Sequence, residues 1–231
     1  MKYDDIVSAA QDAPVKLLKD SLSLRMAKHV NPLSITETEF EFIRSTIVNN
    51  KLKTGYEVAT AFGVSALAMA LGIKETGGKS VSMDCYIEEQ FNSCEVYRDK
   101  DRTLYQDSDG FRSASFLMKH FGVENHITLA VGWSPDDTET VLKNTFGPKV
   151  KLDYVMIDAQ HIDKSLIADF DAVLPYINRK RFVLFVHDLH CFTSEAIGHI
   201  ERSLETKLSV VPECALGTGN GYNLAMATNI K

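Results

Sequence analysis

A succession of short apolar runs, separated by stretches patterned as helices, constrains this chain more than any other feature. Gly55 to Ala59, Lys79 to Asp84, Ile127 to Val131, Tyr154 to Asp158 and Phe182 to Val186 read as strands. The last two are almost unbroken apolar runs, the pattern of strands covered on both faces. Parallel strands need a crossover of a dozen or more residues between them, and the intervening segments supply it. Ser65 to Leu71 is made of strong helix formers, with Gly72 placed to cap it. Residues 111–121, 138–146, 165–177 and 194–204 also carry helical apolar spacing. The fold class is therefore α/β, a doubly wound and mostly parallel sheet with helices on both faces. Leu208 to Val211 and Tyr222 to Thr228 read as two last strands around a Gly-rich loop. They are too close for a helical crossover, so at least one is antiparallel.

Upstream of the sheet, residues 1–35 read as an N-terminal helical extension. Pro14 opens a helix with Val15, Leu17, Leu18 and Leu22 on its apolar face, and Pro32 closes the section. The α/β domain spans 36–231. Its first helix begins at a capping box, Thr36 with Glu39, and continues through Phe40, Phe42, Ile43 and Ile47. Residues 86–109 are long for a strand-to-helix connection. They hold seven acids, three bases, Phe91, Tyr97 and Tyr105. A lid, an acceptor-binding wall, a solvated excursion and a dimer contact are all open readings of that stretch.

Composition excludes several classes. The formal net charge is -6, which gives no general attraction to nucleic acid or an anionic membrane. No apolar run reaches the roughly 18 residues of a spanning helix. The first residues carry acids and no long apolar core, unlike a secretory signal. Cys85, Cys94, Cys191 and Cys214 form no CxxC pair and read as reduced thiols, which points to a cytoplasmic protein. A homodimer is expected on the frequency of two-fold assemblies.

Ligands of open α/β sheets bind outside the carboxyl ends of the strands. Four acids fall at that edge: Glu57, Asp84, Asp158 and Asp188. Ala59, Ala61 and Gly63 are small residues where the first strand turns into its helix, so a ligand can approach the backbone and the free helix amides. Asp84 lies about 20 residues further on, where a carboxylate reaches ribose hydroxyls. Neither the GxGxxG dinucleotide pattern nor the GxxxxGK[ST] phosphate loop occurs.

These residues carry a resemblance. The stretch Glu57-Val58-Ala59-Thr60-Ala61-Phe62-Gly63-Val64-Ser65 resembles the first motif of class I S-adenosylmethionine-dependent methyltransferases, in particular the small O-methyltransferase-like group. Asp84, Gly132-Trp133-Ser134, Asp158-Ala159-Gln160-His161, His187-Asp188-Leu189 and the 217–221 glycine loop match that group's later motifs in order and spacing. The resemblance covers about residues 34–230 and implies S-adenosylmethionine as cofactor. It places Glu57, Ala59, Ala61, Gly63, Ser65, Asp84, Gly132, Ser134 and Asp158 around that cofactor. It implies methyl transfer to a hydroxyl of a small molecule. Some relatives use a divalent ion, here Mg²⁺ or Mn²⁺ on Asp158 and Asp188, with His161 or His187 completing the shell. Others use a His base, for which His161, His187 and the neighbouring His190 stand ready beside Asp158 and Asp188. Ala59 and Ala61 stand where glycine is usual, and Gln160 where an acid is common. Those departures keep a non-catalytic scaffold open as an alternative, and a nicotinamide-dependent oxidoreductase is a third reading that the missing glycine fingerprint disfavours.

Overall fold

The computed structural model describes residues 3–12, 35–86, 109–158, 160–214 and 224–230. Its centre is a seven-stranded sheet in the order β3-β2-β1-β4-β5-β7-β6. The strands are β1 (Thr54–Val58), β2 (Lys79–Asp84), β3 (Ile127–Val131), β4 (Tyr154–Ile157), β5 (Val183–Val186), β6 (Ser209–Val210) and β7 (Ala225–Thr228). Strands β1 to β5 pair in parallel. Strand β7 inserts antiparallel between β5 and β6, as the short connection requires. The order reverses at β1, between β2 and β4, which makes that edge the switch point where ligands bind.

The helices are α1 (Tyr3–Asp12), α2 (Glu37–Asn49), α3 (Val64–Thr76), α4 (Asp109–His120), α5 (Thr138–Phe146), α6 (Asp163–Val173) and α7 (Ser194–Leu204). They divide into two layers because side chains alternate along each strand. Tyr154, Met156, Val183 and Phe185 face a core shared with α1 to α4. Val155, Ile157, Leu184 and Val186 face a second core with α5, α6 and α7. That division is why β4 and β5 read as unbroken apolar runs.

Two local expectations change. Gly72 is no cap: α3 runs on to Thr76, and Gly77, at φ +72°, ends it with its N–H on the Ile73 carbonyl. Gly72 instead lets α2 approach, since a Cβ there would lie 2.9 Å from Ile47. The helix expected over 165–177 stops at Val173 and tightens into a 3₁₀ turn, Leu174–Tyr176, where Pro175 cannot donate to the α-helical ladder. The capping box forms as expected, with the Glu39 amide donating to Thr36 Oγ1 at 3.2 Å and the Thr36 amide to Glu39 Oε2 at 2.5 Å. The Tyr3 hydroxyl donates to the Ile35 carbonyl at 3.3 Å, and the Tyr3 ring meets Phe40 edge-on, tying α1 to the start of α2. The helix expected from Pro14, most of the 86–109 stretch and the 217–221 loop lie outside the described residues.

Candidate active site

Strand order places β2, β1, β4 and β5 side by side, so Asp84, Glu57, Asp158 and Asp188 belong to one continuous carboxyl edge. The turn that leaves β1 is tightly wound. Ala59, Ala61 and Gly63 take φ values of 73°, 46° and 87°. For alanine this left-handed conformation costs about 1–2 kcal/mol per residue, which explains why glycine suits these positions. Gly63 has a second reason: a Cβ would lie 2.6 Å from the Ala114 Cα of α4. Asp84 braces this turn. One of its oxygens accepts from the Ala61 amide at 2.8 Å and the other from the Tyr86 amide at 2.7 Å.

Glu57 lies deeper. It is fully buried in β1 and accepts a hydrogen bond from Ser82 Oγ, which also pairs with Thr60 Oγ1 at 2.5 Å. Burial pushes its pKa up to about 8; the hydroxyls of Ser65 and Ser82 pull the other way, and the Asp158 and Asp84 charges add to the rise. Glu57 Oε1 and the buried Tyr86 hydroxyl have no hydrogen-bond partner among the described residues. Buried polar atoms are rarely left so, and two at this turn mark a place suited to a polar ligand.

After β3, the Gly132 amide donates to the Asp84 carbonyl at 3.0 Å, and a Cβ on Gly132 would lie 2.8 Å from Met83 Sδ. The Trp133 amide is held by Asp137 Oδ2 at 2.7 Å. Ser134 turns its hydroxyl onto Asp169 Oδ1 at 2.5 Å. Asp169 sits on α6, and burial raises its pKa to about 6 against the pull of Ser134. Ser134 thus anchors this turn to the helix behind it.

The second half of the site gathers where β4 and β5 end. His187 Nδ1 lies 3.1 Å from Asp158 Oδ1 and 3.2 Å from Asp188 Oδ2, while its Nε2 lies 3.3 Å from Glu39 Oε1. His187 is 4% exposed and Glu39 fully buried. Burial disfavours the imidazolium, but the Asp158 charge, with the bonds to Asp158, Asp188 and Glu39, outweighs it and raises the pKa well above the ordinary value. Burial likewise raises both acids, yet their histidine partners win: Asp158 and Asp188 are held below the usual carboxylate range, and so is Glu39. His161 reaches the same acids from the solvent side, its ring half exposed. Its Nε2 lies 3.0 Å from Asp188 and 3.9 Å from Asp158, a hydrogen bond and a looser ion pair respectively. Asp158 and Asp188 together pull the His161 pKa up to about 10.

His190 stands exposed on the 3₁₀ turn after Asp188. Gln160 accepts from Ser165 Oγ at 2.9 Å, so it secures the start of α6. Asp188 makes no side-chain cap, and α7 is capped by Thr193 instead.

Asp158, His187 and Asp188 each offer one ligand atom, and these atoms lie within 4.8 Å of one another. Two carboxylate oxygens and one imidazole nitrogen are donors a divalent ion accepts, with the nitrogen favouring Mn²⁺ or another transition ion over Mg²⁺. Glu39 and Asp169 are the two residues of this neighbourhood that motif reading passes over. Both carry the same signal. Glu39 precedes Ile43 and Ile47 at four-residue spacing, and Asp169 lies between Leu166 and Phe170 and Val173. An acid inside the apolar stripe of a helix must be buried and must find a partner.

Residues 56–189 match the family profile described as a methyltransferase domain. No curated protein matches by sequence. Among solved structures, an O-methyltransferase from Bacillus cereus in complex with SAH superposes with a TM-score of 0.59 at 15% identity, over 99% of this chain and 96% of that one. The O-methyltransferase TomG from Streptomyces achromogenes, involved in tomaymycin synthesis and solved with SAM, gives 0.60 at 15% identity over 98% and 95%. The SAH-bound methyltransferase PaMTH1 of Podospora anserina gives 0.54 at 14% identity over 97% and 94%. At such identities the likeness is one of fold.

Proposed function

The chain belongs to the methyltransferase-domain family, and on that premise we propose that it transfers the methyl group of S-adenosylmethionine to a hydroxyl of a small-molecule acceptor. When bound, that cofactor supplies an electrophilic methyl group on a positively charged sulfur. The chain's own task is then alignment and control of the acceptor proton. Asp84, at the end of β2 and bonded to the Ala61 amide of the turn, takes the ribose hydroxyls. The start of α3 at Val64 and Ser65 faces the amino-acid end, while the amides of Ala59, Ala61 and Gly63 are held inside the turn by Met83, Asp84 and Thr60 and shape it. Gly132 and Trp133, held by Asp84 and Asp137, line the adenine end, and Ser134 fixes them in place.

The observation that carries this reading is the convergence of Asp158, His187 and Asp188 within 4.8 Å on the edge next to that turn. Asp158, His187 Nδ1 and Asp188 would hold a divalent ion, whose charge favours a deprotonated acceptor hydroxyl. His161 is the ring of this cluster that solvent reaches. While the two carboxylates hold it protonated it gives up no lone pair, and it accepts a proton only where their charge is otherwise compensated. His187, with all its ring nitrogens turned to carboxylates, serves as a ligand in this reading and leaves the base role to His161. The same reading takes the protein as a cytoplasmic homodimer, in keeping with its charge and with Cys191 and Cys214, which form no disulfide among the described residues.

The test is calorimetry with S-adenosylmethionine and S-adenosylhomocysteine, then a crystal structure with the latter in millimolar Mn²⁺ using anomalous data. Binding of both, and a peak within about 2.3 Å of both carboxylates, supports the ion-assisted reading. Cofactor bound with no peak, and His161 aimed at the space beside the sulfur, assigns the reaction to a histidine base alone. No binding of either compound at millimolar concentration refutes methyl transfer and leaves the scaffold reading.

A further inference from the structure

Glu39 comes from the N-terminal helix of the domain, far in sequence from the motifs after β4 and β5, yet it ends against His187. Its environment is specific. The side chain is fully buried, Oε2 receives the Thr36 amide at 2.5 Å, and Oε1 faces His187 Nε2 at 3.3 Å. An ionised carboxylate only accepts hydrogen bonds, so the Nε2 that faces it carries the proton. The remaining nitrogen, Nδ1, is thereby aimed at Asp158 Oδ1 and Asp188 Oδ2, 3.1 and 3.2 Å away. Those two oxygens cannot donate to it either, so Nδ1 requires a cation or a proton between itself and them.

We propose that Glu39 is the positioning residue of this site: it fixes the proton of His187 on Nε2 and so presents Nδ1 as a ligand toward Asp158 and Asp188. The consequence for metal affinity rests on the ion-assisted reading given above; the placement of the ring proton does not. A ligating histidine whose other nitrogen donates to a carboxylate has its ring orientation and tautomer set by that bond. Here the carboxylate is itself immobilised by the helix start, since the capping box holds Glu39 at both its amide and its Oε2. One short motif thus performs two tasks, beginning α2 and orienting a side chain 148 positions away in sequence.

The substitution that separates these tasks is Glu39→Gln. Its amide oxygen still accepts from the Thr36 amide, because glutamine also completes a capping box. Its NH₂ group is then directed at His187 Nε2, which must become an acceptor, so Nε2 loses its proton and the metal-free ring keeps one on Nδ1 alone. Thr36→Ala is the complementary control, removing the hydroxyl that receives the Glu39 amide while leaving the carboxylate. Two readouts are needed on the full-length chain: the ¹⁵N resonances of the His187 ring, and Mn²⁺ binding followed by electron paramagnetic resonance. The expected result is a protonated Nε2 in the wild type and in Thr36→Ala, an unprotonated Nε2 in Glu39→Gln, and Mn²⁺ affinity lowered about 10–100-fold in Glu39→Gln alone. A wild type that binds no Mn²⁺ while Glu39→Gln still removes the Nε2 proton overturns the ion-assisted reading and upholds the role of Glu39. A ring proton that stays on Nε2 in Glu39→Gln overturns the role of Glu39, whatever the metal does. A Thr36→Ala protein that shows the same loss of the Nε2 proton as Glu39→Gln also overturns it, by reducing the effect to damage at the helix start.

Discussion

Glu57→Gln tests the electrostatics beneath the turn between β1 and α3. Glu57 is fully buried and its pKa is raised to about 8 from 4.5. Between those values the folded chain keeps a proton that the unfolded chain has released. Stability therefore falls as pH rises through this window, and the loss is complete above the folded pKa. The slope is about 1.4 kcal/mol per pH unit. Glutamine retains an acceptor for Ser82 Oγ and does not ionise, so the variant lacks this slope. From pH 5.5 to 7.5 the stability of Glu57→Gln relative to the wild type should rise by roughly 2–3 kcal/mol. Unfolding entropy for a chain of 231 residues is roughly 0.5 kcal/mol/K, which converts the change to about 5 °C in Tm. The assay is thermal unfolding of both proteins without cofactor across that pH range, monitored by circular dichroism. The difference between the curves matters, because every other titrating group is common to both. Two parallel curves separated by a constant gap would refute the reasoning. A ¹³C titration of the Glu57 carboxyl centred near its ordinary value would refute it at the source.

Further outcomes follow from the same geometry. Asp84→Asn should weaken S-adenosylmethionine binding by about 1.5–3 kcal/mol, the scale of a charge-assisted hydrogen bond; an unchanged Kd in calorimetry would remove Asp84 from the ribose site. Ala59→Gly and Ala61→Gly should each stabilise the fold by about 0.5–1 kcal/mol, because relief of the left-handed alanine strain exceeds the entropy cost of glycine. Differential scanning calorimetry checks this, and a lower Tm for either variant counts against a strained turn. The homodimer is tested by multi-angle light scattering at tens of micromolar, where a mass near 25.8 kDa would indicate a monomer.

What the sequence determined by itself is the framework. Strand positions and the parallel topology were legible because a two-layered sheet needs unbroken apolar runs with helical crossovers, and both are local patterns. Asp84, Asp158 and Asp188 were legible as edge acids for the same reason, each following such a run. Left to tertiary structure were the partners across the edge. Motif order says that Asp158 and His187-Asp188 end neighbouring strands, but only the packed sheet sets His187 Nδ1 about equally far from both acids. The bond from Ser134 to Asp169 is likewise a tertiary one, because a carboxylate buried on α6 demands a donor. Gly72 reads locally as a helix end, whereas what requires it is the approach of α2, a contact between segments some 25 residues apart (Ile47 to Gly72). Glu39 is the sharpest case. Its spacing from Thr36 correctly announced a helix start, and that local role hid the distant one. Local signals report the bonds a residue makes within its own turn of chain, whereas burial forces it to satisfy every remaining lone pair with whatever the fold brings near.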